Sequence, residues 1–161
     1  MNKKIVILLT TLAIVFNIAY AKEPKRPATV PKNAVWVEAD NEWALGKRNK
    51  DGEMVGEWKW WLAPKGHLVC HTFFTKTQSE GKMTYTRYHP DGTVSRKGTY
   101  LDGEPHGITV SIKSEHPTTE HFNPRVDCWK AVTTFEHGYV VEEHYFNKQG
   151  KEIHKPYIAK P

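Results

Sequence analysis

The chain has 161 residues and a formal net charge of +5 at pH 7, with 39% hydrophobic and 25% charged residues. A chain of this length forms one domain with a modest core. Its small positive charge does not indicate a nucleic-acid-binding protein, so no nucleic acid is expected among its partners.

The first 21 residues have the pattern of an export signal. Lys3 and Lys4 precede an apolar stretch that ends at the small residues Ala19 and Ala21. An uncleaved membrane anchor is the alternative, but the stretch is short for a bilayer span and contains polar residues. We therefore expect residues 1–21 to be a cleaved signal peptide. The mature protein is then periplasmic or secreted, with a formal charge of +3.

The next segment, residues 22–35, is rich in proline and lysine and has no apolar periodicity. This composition predicts a flexible, extended leader outside the core. Its positive charge also suits contact with an anionic membrane surface, which is the alternative to a solvated tail.

From Trp36 onward the sequence predicts β-hairpins. Short runs rich in Val, Thr, Tyr, Phe and Trp alternate with glycine-containing turns, and the runs Trp129–Phe135 and Tyr139–Phe146 flank a turn at Gly138. We expect an all-β repeat domain at residues 36–155, an irregular inserted loop at 113–127 and a short tail at 156–161.

A glycine-containing unit recurs along the chain. DGEMVGEWKWW from Asp51 returns as DGEPHGITVSI from Asp102, 51 residues later, and PKGHLV from Pro64 returns as PDGTVS from Pro90, 26 residues later. KQGKEI from Lys148 is a looser copy. Self-similarity at such periods indicates units that bury their faces by stacking on their neighbours.

These units resemble the MORN-repeat family, in particular the variant found in bacterial proteins described as antitoxins. The matching features are an aromatic-x-x-Asp-Gly motif at Tyr88–Gly92, Gly98-Thr-Tyr100, Asp102–Gly107 and Gly52–Trp61. The resemblance covers residues 44–110, returns weakly at 145–153, and implies hairpins that build one extended, twisted antiparallel sheet. The non-aromatic run ITVSI after Gly107 departs from the family pattern, and residues 113–127 fit no repeat.

The two cysteines, Cys70 and Cys128, would reach an oxidising compartment with the exported chain. A single disulfide bond between them is the expected arrangement there. Such a bond closes a long loop and contributes roughly 4 kcal/mol on the chain-entropy model. The alternative is a pair of buried thiols, which applies if the two Cα atoms lie too far apart.

The histidines and acidic residues do not form a recognisable catalytic or metal-binding pattern. His67 and His71 are four residues apart on a predicted strand, roughly 13 Å from each other, which is too far to share one ion. On the strand near the C-terminus, Glu142 and His144 share a side while Glu143 faces the other way. No metal site, cofactor or catalysis is expected, although a hydrolase that uses His116 and His121 of the inserted loop is an alternative.

Tryptophan is the strongest indication of function, because a single sheet cannot bury every large ring. Exposed aromatic rings beside cationic side chains mark protein interfaces and sugar-binding platforms. Strand alternation places Trp58 and Trp60 on one face and Trp61 on the other. The predicted binding residues are Trp43, Arg48, Trp58, Lys59, Trp60 and Trp61.

The leading hypothesis is an exported, non-catalytic protein-interaction module. It would act as an immunity or antitoxin-like protein that binds and neutralises another envelope or secreted protein. The alternative function is binding to cell-wall glycan or to an anionic lipid surface.

Overall fold

The computed structural model describes residues 23–113 and 128–153 and the backbone of residues 157–158. The predicted signal peptide, residues 1–21, and the greater part of the predicted inserted loop, residues 114–127, lie outside the described part. The strands are β1 Val35–Val37, β2 Glu42–Arg48, β3 Met54–Leu62, β4 His67–Phe74, β5 Lys82–Tyr88, β6 Val94–Leu101, β7 Glu104–Pro105, β8 Gly107–Ile112, β9 Lys130–Glu136, β10 Tyr139–Phe146 and β11 Tyr157–Ile158.

The strands form one open antiparallel sheet in the order β1-β2-β3-β4-β5-β6-β8-β9-β10-β11, with the short β7 paired to β6. Apart from β7, strands that follow each other in sequence are therefore neighbours in the sheet, as a chain of hairpins requires. This confirms the prediction of an all-β protein with a single extended antiparallel sheet. Strand β11, Tyr157–Ile158, lies within the tail predicted at 156–161 and pairs with β10.

Three connections share one turn geometry, at residues 49–53, 89–93 and 147–151. In each, the backbone N–H of the first residue donates a hydrogen bond to the carbonyl of the fifth. The carbonyl of the first residue accepts a hydrogen bond from the N–H of the fourth, and all these distances are 2.8 to 3.1 Å. The fourth residue is always glycine at a φ between 80° and 85°, a conformation that other residues adopt only with strain. The recurring turn thus begins at Asn49, His89 and Asn147. The intervals between these three positions differ from the 26-residue offset of the sequence repeat.

Two further connections are two-residue turns, Asp102–Gly103 and His137–Gly138, in which both residues have positive φ. Such turns match the right-handed twist of the strands that they join. The hairpin predicted about Gly138 is confirmed. The two Asp-Gly pairs that repeat 51 residues apart form different turns, because Asp102 has a positive φ of 49° and Asp51 does not.

The two faces of the sheet are covered differently. On the first, named here the leader face, Trp43 and Trp61 form a core cluster with residues of the N-terminal segment. On the second, named the cavity face, Ala44, Trp58 and Phe74 form another cluster. A third cluster, Cys128, Ala131 and Tyr145, lies at the far end of the sheet.

Residues 23–35, the described part of the segment 22–35 that was predicted to be a flexible leader, pack onto the leader face instead. Val30 and Ala34 are only 4% and 3% exposed, and Thr29 donates a hydrogen bond to the Gly66 carbonyl. The Arg26 guanidinium lies 4.4 Å from the centre of the Trp43 ring. The physical reason is that a single sheet exposes both faces, and the tryptophans on this one need a covering layer.

Candidate functional site

A cavity of about 650 Å³ opens on the cavity face, across strands β2 to β6. Its lining includes aromatic rings and two guanidinium groups, those of Trp60, Tyr85, Tyr100, Arg87 and Arg96. Side chains of this kind bind ligands through stacking and charge. The cavity is therefore the candidate binding site.

Trp58 forms the support beneath one wall of the cavity. Its ring lies against Gly46, where an added Cβ would come within 2.1 Å of the ring, and its indole N–H donates to the Lys47 carbonyl at 3.1 Å. Trp60 stacks against it with ring centres 5.7 Å apart. Because Trp58 is fixed from below, the half-buried Trp60 ring is held in one orientation towards the cavity.

Tyr85 repeats this arrangement on the next hairpin. Its side chain crosses Gly98, the residue opposite it on β6, and its hydroxyl hydrogen-bonds with Thr109 on β8. Burial raises the pKa of the Tyr85 hydroxyl, so it stays protonated. Tyr100 lies beside it with ring centres 5.7 Å apart. Together the two rings form a second aromatic wall.

Arg87 and Arg96 are directly opposite each other on β5 and β6, and both side chains are exposed. Arg87 lies close enough to Cys70 to hydrogen-bond its thiol. Within the described part of the chain, neither guanidinium makes an ion pair with a carboxylate. Two neighbouring cations with no ion-paired anion make this the most electropositive part of the lining.

Most of the predicted tryptophan anchors are buried. Trp43, Trp58 and Trp61 are 0%, 6% and 7% exposed, so they do not belong to the exposed subset of rings expected to bind a partner. They fill the two core clusters because this sheet has few large aliphatic residues with which to do so. The expected alternation is correct, since Trp58 and Trp60 share the cavity face and Trp61 faces the leader. Trp60 is the predicted ring that reaches the cavity.

The two predicted cations do not join this site. Arg48 lies at the end of β2, with its guanidinium 5.2 Å from the centre of the Trp58 ring. Lys59 lies on the leader face and makes an ion pair with Glu57 at 2.9 Å. This ammonium group and, to a smaller extent, His71 lower the pKa of Glu57. The predicted binding residues therefore occupy both faces instead of forming one surface.

The histidine pair of β4 is divided between the two faces. His67 lines the cavity, whereas the His71 imidazole contacts Glu57 on the other face at 2.8 Å. The division arises because Val69 is an extra residue in the pairing of β4 with β3. No group of three or more His, Cys, Asp or Glu side chains in the described ranges is arranged to hold a metal ion. His116 and His121 lie outside those ranges.

The predicted disulfide bond is absent. Cys70 lies on β4 and Cys128 immediately before β9, and no bond joins them. Strands β5, β6 and β8 separate the two, a distance of roughly 19 Å at the usual strand spacing. A disulfide requires Cα atoms within about 7 Å. Burial raises the pKa of the Cys70 thiol, which leaves it protonated.

Near the C-terminus, His144 lies between two carboxylates. Its Nε2 is 2.9 Å from Glu142, which was expected on the same side of β10, and its Nδ1 is 2.6 Å from Glu152. Glu143 faces the other way and accepts a hydrogen bond from the Tyr145 hydroxyl at 2.8 Å. The arrangement fastens the chain after β10 back onto that strand, far from the cavity.

The arginine pair was missed by the sequence analysis. A simple hairpin in which Tyr88 is opposite Val94 would place Ser95 opposite Arg87. A bulge adds one residue to β6 at this point, so Arg96 takes that position. The Arg-x-x-Pro-Asp-Gly spacing at Arg87–Gly92 was a signal for a hairpin, but nothing in it specified the bulge.

Among the described residues, no helix has the length and apolar character needed to cross a membrane. Comparison with known proteins gives no match: no family model, no curated protein and no solved structure is similar to this chain.

Proposed function

We propose that this protein is a non-catalytic binding module that recognises a partner protein through its cavity face. The observation that carries the proposal is the juxtaposition of Trp60 and Tyr100 with Arg87 and Arg96 in one open cavity. Tryptophan, tyrosine and arginine are the residue types that contribute most to binding energy at protein interfaces.

The chemistry of the lining supports binding in preference to catalysis. The Cys70 thiol has a pKa raised by burial, and the thiolate is the form that acts as a nucleophile. The Tyr85 hydroxyl is likewise kept protonated and is engaged with Thr109. Both side chains are therefore better suited to shaping the cavity than to taking part in a reaction.

The proposal includes a location and a role. Residues 1–21 have the pattern of an export signal, so the partner would be another envelope or secreted protein. The resemblance of the hairpin units to the MORN variants of antitoxin-like proteins supports an immunity function, in which binding neutralises a toxin. Recovery of a mature chain that begins at Lys22 would test the location by intact-mass measurement, and retention of residues 1–21 would contradict it.

A specific observation favours cell-wall glycan as a second candidate ligand. The Trp60 and Tyr100 rings both face the cavity, and flat rings of this kind stack on sugar rings. This candidate predicts binding to purified glycan without any protein partner.

Affinity capture with matched variants tests the proposal. The wild-type protein and the variants Trp60→Ala and Thr84→Ala are immobilised separately and tested in parallel. Thr84 is an exposed β5 residue on the opposite face and serves as the control. Truncation of a central aromatic anchor weakens binding by about 2 kcal/mol or more, a factor of roughly 30. A partner retained by wild type and Thr84→Ala but lost by Trp60→Ala supports the proposal. Equal retention by all three, with circular dichroism unchanged, contradicts it.

A further inference from the structure

We infer that Arg87 and Arg96 form a carboxylate-binding subsite, and that the partner inserts an acidic side chain there from an extended segment with apolar neighbours. The inference rests on the proposed function, because it names the chemistry by which the cavity face would recognise a protein. It adds a charged subsite that the aromatic walls alone do not require.

The first argument is the pairing of the two guanidiniums. Arg87 and Arg96 are cross-strand partners, so their Cβ atoms lie about 5 Å apart. Like charges in that position repel each other and destabilise the sheet. An anion between them would remove the repulsion, and each guanidinium presents a planar set of donors that fits a carboxylate.

The second argument is the charge of the surroundings. Among the described lining residues, Glu42 is the only carboxylate, and it has contacts of its own. Cys70 lies opposite Arg87 in the pairing register, and Tyr85 lies two residues before Arg87 on the same face of β5. Both are protonated groups with raised pKa values. The cavity therefore presents two guanidinium charges against one carboxylate, an excess of positive charge, to an incoming group.

The third argument selects a segment of protein over a small anion. The cavity, at about 650 Å³, extends well beyond the arginine pair and includes Trp60, Met83 and Tyr100. A lone phosphate or sulfate ion would leave these apolar groups uncovered. A segment with an acidic residue two positions away from apolar residues would cover the rings and place a carboxylate between the guanidiniums, because residues i and i±2 of a strand point to the same face.

The test uses two synthetic probes, acetyl-Leu-Thr-Glu-Thr-Leu-amide, in which Leu and Glu share one face of an extended chain, and the same peptide with glutamine in place of glutamate. Binding to the mature protein is followed through the NMR signals of the arginine Nε–H groups and the Trp60 indole. We expect the glutamate peptide to shift all three signals and to bind at least tenfold more tightly than the glutamine peptide. Raising the ionic strength should reduce that difference.

Matched variants separate a specific subsite from general attraction. Arg96→Ala and Lys97→Ala each remove one positive charge from adjacent positions of β6, but Lys97 lies on the leader face, opposite Thr86. We expect Arg87→Ala and Arg96→Ala to weaken binding of the glutamate peptide tenfold or more, and Lys97→Ala less than twofold.

Three results would overturn the inference: equal binding of the two peptides, equal losses in Arg96→Ala and Lys97→Ala, or saturation of the arginine signals by inorganic phosphate or glucuronate but not by the peptide. If the peptide fails to bind while Trp60→Ala still abolishes capture of the partner, the inference of a carboxylate-binding subsite is wrong and the proposed function is retained. If Trp60→Ala also leaves capture of the partner unchanged, both the subsite inference and the proposed function are wrong.

Discussion

At the residue scale, two glycines allow large rings to lie flat against the sheet. The Trp58 ring occupies the space above Gly46, and the Tyr85 ring crosses Gly98. In each case the missing side chain permits contact between ring and backbone that a β-carbon would prevent. These contacts orient the aromatic walls of the cavity, so the shape of the cavity depends partly on residues that have no side chain.

The first prediction concerns Gly46. An alanine there would place a Cβ 2.1 Å from a Trp58 ring carbon, so the ring must move. We expect Gly46→Ala to lower the free energy of unfolding by about 1–3 kcal/mol, as overpacking does. Chemical denaturation measures the change. In a Trp58→Leu background the same substitution should cost less than about 0.5 kcal/mol, since the clash is gone; an equal cost in both backgrounds would rule out the ring contact.

The second prediction concerns the pKa of His144. Glu152 and then Glu142 raise this pKa above its ordinary value of 6.5. The folded state therefore binds a proton more tightly than the unfolded chain, and the resulting stabilisation is complete below about pH 6.5. It is lost as the pH rises through the raised pKa. The hydrogen-exchange protection factors of amides in the Phe146–Glu152 pairing, which are corrected for the intrinsic pH dependence of exchange, should fall over that interval.

An NMR titration of the His144 ring checks the cause of the shift. Glu152→Gln should lower the pKa most and Glu142→Gln less. Glu143→Gln is the matched control, because that carboxylate accepts a hydrogen bond from Tyr145 on the other face. A His144 pKa at or below 6.5 in the intact protein, or an equal effect of all three substitutions, would contradict the two-carboxylate arrangement.

At the scale of elements, the N-terminal segment acts as a second layer over one end of the sheet. Val30 and Ala34 close the cluster around Trp43 and Trp61. The backbone N–H groups of Val30 and Ala34 donate to Pro27 and Pro31, so the segment is folded into turns that bring both residues to the sheet. The prolines that predicted an extended leader in fact shape those turns.

The third prediction compares two valines of this region. Val30 is 4% exposed and Val35 is 68% exposed. Val30→Ala removes buried apolar groups and should lower the free energy of unfolding by about 2 kcal/mol. Val35→Ala removes the same groups from a solvent-exposed position and should change the free energy of unfolding by less than about 0.5 kcal/mol. Denaturation curves test both, and equal effects would show that the segment is not docked.

These elements also show what the sequence could predict. Alternation and turn residues identified the strands, the hairpin about Gly138 and the shared face of Trp58 and Trp60, because each depends on neighbours along the chain. The docking of Val30 and the pairing of Arg87 with Arg96 depend instead on contacts between distant segments and on a bulge. No local pattern encodes such contacts, so both required the structure.

At the scale of the whole molecule, the open sheet keeps its two ends apart. Since strands are added in chain order, residues far apart in sequence lie far apart along the sheet. Each region is therefore stabilised by its own neighbours: the leader cluster at one end, the cavity cluster in the middle, and Cys128 with Tyr145 at the other end. A covalent bond between distant strands has no place in this arrangement.

The last prediction follows from that separation. Both cysteines should be alkylated, giving two labels per chain, when the protein is unfolded in denaturant without reductant. Because no disulfide contributes to stability, a reducing agent should leave the melting temperature of the folded protein unchanged, and Cys70→Ser should not expose Cys128. Reduction-dependent labelling, or a fall in the melting temperature on reduction, would require the β4 and β9 ends to approach within about 7 Å. That approach would contradict the strand order β4-β5-β6-β8-β9.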